Sequence, residues 1–266
     1  MTITLEQADR LLATRPPAVP GQLDAAQTAG RNGYPLPARP WNGLTVLDAC
    51  CCAGGAGMGY YLAGYDVVGI DVTDRPRYPF PFIQGDAVEY VRVHGHEYDL
   101  IHASWPCQHY TALTRGTNRK RRKTYPDLIG PGREAMLATG RPYVIENVPG
   151  APLRPDLTLC GTQFGRPFLR HRVFEIHGWF AMQPQHQRHR DRVRGYRHGV
   201  RHPGGYLAIY GDGGDKASVP EIQAAFRMWW TDVREELTEA IPPAYTHHIG
   251  EQATDQIRAA RMGATV

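Results

Sequence analysis

Short apolar runs, each stopping at a polar or glycine-rich stretch, set the pattern of the chain from about residue 44 to residue 176. Leu44-Thr45-Val46-Leu47-Asp48-Ala49, Asp66-Val67-Val68-Gly69-Ile70-Asp71, Phe82-Ile83-Gln84-Gly85, Tyr98-Asp99-Leu100-Ile101-His102-Ala103 and Tyr143-Val144-Ile145-Glu146-Asn147-Val148 have the length and apolarity of buried parallel strands. Leu169-Arg170-His171-Arg172-Val173-Phe174-Glu175-Ile176 predicts a last strand with Arg170 and Arg172 on one face, because side chains alternate. Helices are predicted over 5–14, over 127–139 before the stop Gly140-Arg141-Pro142, and over 244–262 after Ile241-Pro242-Pro243. Residues 15–41, rich in Pro and Gly, have no period. The fold class is therefore α/β, with residues 1–43 as an N-terminal arm and 44–176 as the main domain. In residues 177–237 Pro, His, Arg and Gly dominate and the alternation of strand and helix is lost, which reads as a small insertion. Residues 238–266 are expected to pack back on the main domain.

At 266 residues, the chain can bury one substantial core. No apolar run is long enough to span a bilayer and the amino terminus has no signal-peptide pattern, so no membrane partner and a cytoplasmic site are expected. The 5 cysteines are odd in number, three of them adjacent, and have no paired zinc or disulfide spacing. The 12 histidines show no ligand spacing either, so no metal is expected, and His247-His248 and the histidines from His186 to His202 are read as surface or phosphate-facing. A net charge of +4 is mild but unevenly spread. Arg115, Arg119, Lys120, Arg121, Arg122 and Lys123 form one basic cluster, and Arg188, Arg190 and Arg192 begin another, which suits a polyanion.

The run ending at Ala103 leads into Ser104-Trp105-Pro106-Cys107-Gln108. The carboxyl end of a parallel strand is where α/β folds place their chemistry, and a thiol is the most readily ionised strong nucleophile there. Upstream, Cys50-Cys51-Cys52-Ala53-Gly54-Gly55-Ala56-Gly57 follows the first strand as a small-residue turn that lets the backbone approach a ligand. Asp71 ends the second strand about 20 residues later, the spacing at which such folds hold a ribose hydroxyl, and Asp86 follows the third and could accept from an adenine amino group. Glu146 lies inside an apolar run, where a carboxyl is either paired or held for proton chemistry.

Taken in order, these stretches resemble the DNA (cytosine-5) methyltransferase family, most closely its small phage-type members, from about residue 46 to residue 250. Asp48 to Gly57 stands as the S-adenosylmethionine loop and Pro106-Cys107-Gln108 as the nucleophile motif. Glu146-Asn147-Val148 stands as the acidic motif, Arg170-His171-Arg172 as the arginine motif, and Ile241-Pro242-Pro243-Ala244 as the closing motif. The resemblance implies a Rossmann-like sheet, the cofactor S-adenosylmethionine and a monomer acting on double-stranded DNA, as in phage or restriction-modification systems. It implies that Cys107 attacks C6 of a flipped cytosine, Glu146 protonates N3, Arg172 binds O2, and Arg170 supports the loop or a phosphate. The implied cofactor site takes Asp48, Cys50, Ala53, Gly54, Gly55, Asp71, Val72, Asp86, Ala87, Pro106 and Glu239, with Gln108 and the basic clusters on DNA. The chain departs from the family at Cys50 and Cys52, where an aromatic and a glycine are usual. It departs again at Trp105, often Pro; at Phe168, normally Gln; and at Thr238-Glu239, normally Gly-Asn. A modified cofactor or target base, an RNA cytosine methyltransferase and a non-catalytic binding relative stay open beside the main reading.

Overall fold

The computed structural model describes residues 30–110, 126–210 and 215–263. Its main sheet has seven strands: β1 (Thr45–Ala49), β2 (Asp66–Asp71), β3 (Phe82–Gln84), β4 (Leu100–Ala103), β5 (Tyr143–Asn147), β6 (Leu157–Leu159) and β7 (Arg172–His177). Their order is β3-β2-β1-β4-β5-β7-β6, parallel from β3 to β5, with β7 antiparallel to β5 and β6. The winding reverses between β1 and β4, the switch point at which a Rossmann-like sheet opens a crevice beyond its carboxyl ends. Both faces are covered, so the strands read as continuous apolar runs. Leu47, Ala49, Ile101, Ala103 and Ile145 join one core, while the alternate residues Val46, Leu100 and Val144 join the other.

Helix α1 (Gly55–Leu62) follows β1 with every residue buried. It is enclosed because the long carboxy-terminal helix α6 (Pro243–Gly263) lies against it. A Cβ on Gly59 would collide with Thr246 Oγ1 and the Pro243 carbonyl, so the approach requires glycine. Thr246 Oγ1 donates to the Ala56 carbonyl across the contact (2.8 Å). Helix α2 (Ala87–His94) is capped by Asp86, whose Oδ1 accepts from the Glu89 amide (2.9 Å). Helix α3 (Ile129–Ala138) starts two residues later than the sequence pattern suggests, with Asp127 Oδ1 accepting the Ile129 amide (3.2 Å).

The structure departs from the sequence pattern in two places. Leu169 to His171 do not belong to the last strand: Phe168 bridges Leu207, and Arg170 reaches the Ile209 and Thr238 carbonyls, so β7 begins at Arg172. The stretch after β7 is also more ordered than its composition suggests. It holds the hairpin β8 (Gly195–Arg197) and β9 (Val200–His202), then α4 (Val219–Phe226) and α5 (Arg234–Glu239). Ser218 and Glu221 form a capping box that starts α4. Tyr206 and Leu207 make only isolated bridges. Ile222, Phe226, Met228, Trp230 and Leu237 join the same core as Leu44 and Tyr60. Among the described residues no helix is long and apolar enough to cross a membrane.

Candidate active site

The carboxyl ends of β1, β2, β4 and β5 open on one cavity of about 650 Å³, within the range of small-molecule sites. Asp48, Cys50, Gly55, Asp71, Val72, Asp86 and Ala87 line it from the first half of the sheet. Pro106, Cys107, Gln108, Glu146 and Arg172 line it from the second half, and Glu239 closes on it from the end of α5. Ala53 and Gly54 are in the turn but not in the wall. The Ala53 carbonyl accepts from Trp230 Nε1 (2.6 Å), and Gly54 lies against the Tyr78 ring.

The turn after β1 alternates in handedness: Cys50, Cys52 and Gly54 have φ of 54°, 46° and 82°. Left-handed backbone costs an L-residue about 1–2 kcal/mol, which is the physical reason a glycine suits position 52. Asp71 holds this turn. Its Oδ2 accepts from the Cys52 amide (3.2 Å), its Oδ1 from the Thr73 amide (3.0 Å), and the Arg75 guanidinium lies 3.1 Å away. Burial pushes all three adjacent thiols up, Cys52 to about 12. Asp48 is fully buried, with Tyr78 donating to Oδ2 (3.1 Å) and Oδ1 without a partner. Burial raises its carboxyl to about 8.

Among the described residues, four carboxyl groups, Asp48, Asp71, Asp86 and Glu239, thus face this half of the cavity against one cation, Arg75. Such a lining suits a ligand that combines a cationic centre with hydroxyl or amino donors. S-adenosylmethionine, with its sulfonium, ammonium and ribose hydroxyls, fits that donor set, and the unpartnered Asp48 Oδ1 is a buried polar atom left for a hydrogen-bond partner. Asp86 uses one oxygen to cap α2, which leaves the other for the cavity.

At the other half, Cys107 starts a short 3-10 turn after Pro106. Asn147, fully buried at the end of β5, donates through Nδ2 to the Trp105 carbonyl (2.9 Å) and so ties the cysteine turn to the strand that carries Glu146. Trp105 is buried against α3, where a Cβ on Gly132 would collide with the indole. That packing accounts for tryptophan at this position. Burial, then the Glu146 carboxylate, pushes the Cys107 thiol up, while Arg172 and Arg170 pull it down.

Glu146 is buried, and burial raises its carboxyl against the pull of Arg172 and Arg170. Arg172 Nε lies 2.8 Å from Glu146 Oε1, yet no donor is aligned on that oxygen, so the contact is ionic and acceptor capacity remains. Behind Glu146 stands a buried chain. Tyr60 Oη lies 3.0 Å from His102 Nδ1, His102 Nε2 lies 3.1 Å from Ser104 Oγ, and Ser104 bonds Glu146. Burial lowers His102 to about 3, so the ring is neutral. One tautomer lets Tyr60 donate to His102, His102 to Ser104, and Ser104 to the carboxylate. Sequence reasoning missed His102 and Ser104, although a histidine inside an apolar run is the same signal that singled out Glu146.

Arg170 stands behind this wall, buried, with Nη2 donating to the Thr238 carbonyl (2.7 Å), and it receives Tyr245 Oη on its own carbonyl (2.6 Å). Burial lowers it to about 9. Arg188, Arg190 and Arg192 are exposed, whereas Arg194 makes a two-point ion pair with Glu221 (2.7 and 2.8 Å). The basic cluster from Arg115 to Lys123, the helix expected over 5–14 and most of the N-terminal arm lie outside the described residues. The histidines expected at the surface or facing phosphate are not all there. His247 is buried on α6 beside Gly59 of α1. His186 and His189 meet Cys160 and His171 with all four ligand atoms within 4.8 Å.

No protein-family model matches the chain, and no curated protein does. Among solved structures, the S. pombe Dnmt2 methyltransferase is similar at 12% identity and a TM-score of 0.48, over 82% of this chain and 99% of that one. The Entamoeba histolytica methyltransferase EhMeth is similar at 10% identity and a TM-score of 0.47, over 80% of this chain and 98% of that one. A Spodoptera frugiperda DNMT2 mutant is similar at 17% identity and a TM-score of 0.36, over 49% and 48%.

Proposed function

We propose that this protein transfers a methyl group from S-adenosylmethionine to C5 of a flipped-out cytosine in DNA, through a covalent bond between Cys107 and C6. The observation that carries the reading is the single cavity: Cys107, Glu146 and Arg172 line the same space as Asp48, Asp71, Asp86 and Glu239. A nucleophile, a proton source and a cation therefore share one chamber with an acid-lined pocket suited to a sulfonium nucleoside.

Cytosine C5 is too poor a nucleophile to take a methyl group unaided. Cys107 gives up its proton to solvent and Sγ adds at C6, the C5–C6 π electrons move toward C5, and Glu146, whose carboxyl burial raises, serves as the acid that places a proton on N3 as the addition proceeds. Arg172, 2.8 Å from Glu146 through Nε and donating through Nη1 to the His171 carbonyl (2.9 Å), then faces the carboxylate that remains and has Nη2 for the pyrimidine O2. S-adenosylmethionine supplies the electrophilic methyl when bound. C5 takes that methyl as the sulfonium–methyl bond breaks; a base then takes the C5 proton, that bonding pair restores the C5–C6 double bond as Sγ departs, and N3 returns its proton to Glu146. Extrusion of the base from a duplex costs a few kcal/mol, which phosphate contacts must offset. The exposed Arg188, Arg190 and Arg192 are suited to supply them.

The test is transfer of a labelled methyl group to duplex DNA and, in parallel, to transfer RNA, with mass spectrometry of the nucleosides. We expect 5-methylcytosine in DNA, and a stable adduct with duplexes carrying 5-fluorocytosine that Cys107→Ala abolishes. Label confined to RNA would move the substrate to RNA, a different modified nucleoside would move the chemistry, and neither label nor adduct would reduce the protein to a binder.

A further inference from the structure

Apart from the cavity, four metal-ligating side chains come together at the far edge of the sheet. Cys160 follows β6, His171 precedes β7, and His186 and His189 lie in the irregular stretch after β7. His186 Nε2 is 3.3 Å from His171 Nε2 and 3.2 Å from His189 Nε2, and His189 Nε2 is 3.6 Å from Cys160 Sγ. A tetrahedral zinc ion with ordinary bond lengths separates two nitrogens by about 3.3 Å and a nitrogen from a sulfur by about 3.6 Å. These three spacings coincide, and all four ligand atoms lie within 4.8 Å of one another.

Without a cation the arrangement is unfavourable. His186 Nε2 faces two other imidazole nitrogens, and one proton cannot serve both contacts. Protonating two rings would set like charges against each other. A divalent ion takes all three lone pairs and the sulfur at once.

We propose that Cys160, His171, His186 and His189 bind one structural zinc ion. Three imidazoles and a thiolate suit this borderline-soft metal, and four protein ligands leave no open position for chemistry. The sulfur is prepared for the role: Cys160 Sγ accepts from the Gln163 amide and from Thr162 Oγ1 (3.4 Å). The segment that brings the histidines is likewise anchored. Gln163 Nε2 donates to the Pro184 carbonyl (2.8 Å), and Gln183 exchanges two hydrogen bonds with the Thr158 backbone (2.8 and 2.9 Å). Between β7 and β8 the chain has no helix or strand of its own, so a metal staple offsets much of the entropy of ordering it. It also fixes His171, the neighbour of Arg172, and so orders the arginine-bearing segment beside the cavity.

The full chain, purified without a histidine tag from zinc-supplemented culture, is assayed for metal by mass spectrometry. It should carry about one zinc per chain, and His186→Ala with His189→Ala should carry none. The single variant His186→Gln, at an exposed position, should keep the wild-type circular dichroism yet bind zinc weaker by more than about 100-fold, beyond the loss expected from an outer partner alone. Cobalt(II) added to metal-free protein should give a thiolate charge-transfer band that Cys160→Ser removes and Cys107→Ala retains. Metal-free wild-type protein that shows no cobalt–thiolate band would overturn the proposal. So would wild-type zinc content in the double histidine variant, or loss of zinc in Cys107→Ala.

Discussion

Arg172 Nε stands 2.8 Å from Glu146 Oε1, on adjacent antiparallel strands, with both side chains largely buried. The pair works in opposition: burial pushes the Glu146 carboxyl up and the guanidinium pulls it down. Glu146 is thereby set to give up a proton without leaving an isolated charge in the core.

Replacing Glu146 by Gln keeps the shape and removes the transferable proton. Methyl transfer should fall by about 10²–10⁴, the usual contribution of a positioned acid. Slow adduct formation with 5-fluorocytosine duplexes should accompany it, and an unchanged adduct rate would separate Glu146 from the addition step. Replacing Arg172 by Ala instead removes the cation that pulls the Glu146 carboxyl down, so stability should drop by about 3–5 kcal/mol where that carboxyl is ionised and by less where it is protonated, read by denaturant unfolding across pH.

Ser104 is a positioning residue. Its hydrogen bond lowers the Glu146 carboxyl, so Ser104→Ala should raise it further. The alkaline limb of the pH profile of kcat/KM, where the acid is lost, should move to higher pH, and Ser104→Thr should restore it. A profile that does not move, in a folded variant, would exclude this contact from the mechanism.

Asp48 controls a stability slope. Its folded value of about 8 lies above its ordinary 3.8 because burial disfavours the ion. The folded state therefore holds a proton that the unfolded chain releases, and the stabilisation present below pH 3.8 is lost progressively up to about pH 8. Asp48→Asn should flatten that slope in urea titrations, at roughly 1.4 kcal/mol for each pH unit within the window.

Gly132 sets the seat of the nucleophile turn. Gly132→Ala drives a methyl into the Trp105 indole and should cost about 1–3 kcal/mol. Because Trp105 lies two residues before Cys107, kcat should fall while the Kd for S-adenosylmethionine changes little.

Much of this organisation follows from one-dimensional pattern. Apolar runs of four to six residues need cover on both faces, which dictates a parallel sheet with helices around it, and a polar group closing each run then comes out at the same edge. Asp48, Asp71, Cys107 and Glu146 were legible for that reason, each at or beside the carboxyl end of a strand. Pattern failed where a residue's partner is remote in the chain. Whether Arg170 faces the cavity depends on two carbonyls, Ile209 and Thr238, that only the fold brings beside it. Trp230 stands among arginines and aromatics in the sequence, yet its indole donates to Ala53, 177 residues away. Cys160, His171, His186 and His189 have no motif spacing, because they reach a common point from two strand ends and one irregular segment. Periodicity is a local consequence of burial, so the chain alone determines which residues go inside and which ends carry chemistry. Convergence of side chains on one ligand depends on closing long loops, and that is decided only when the sheet has brought their ends together.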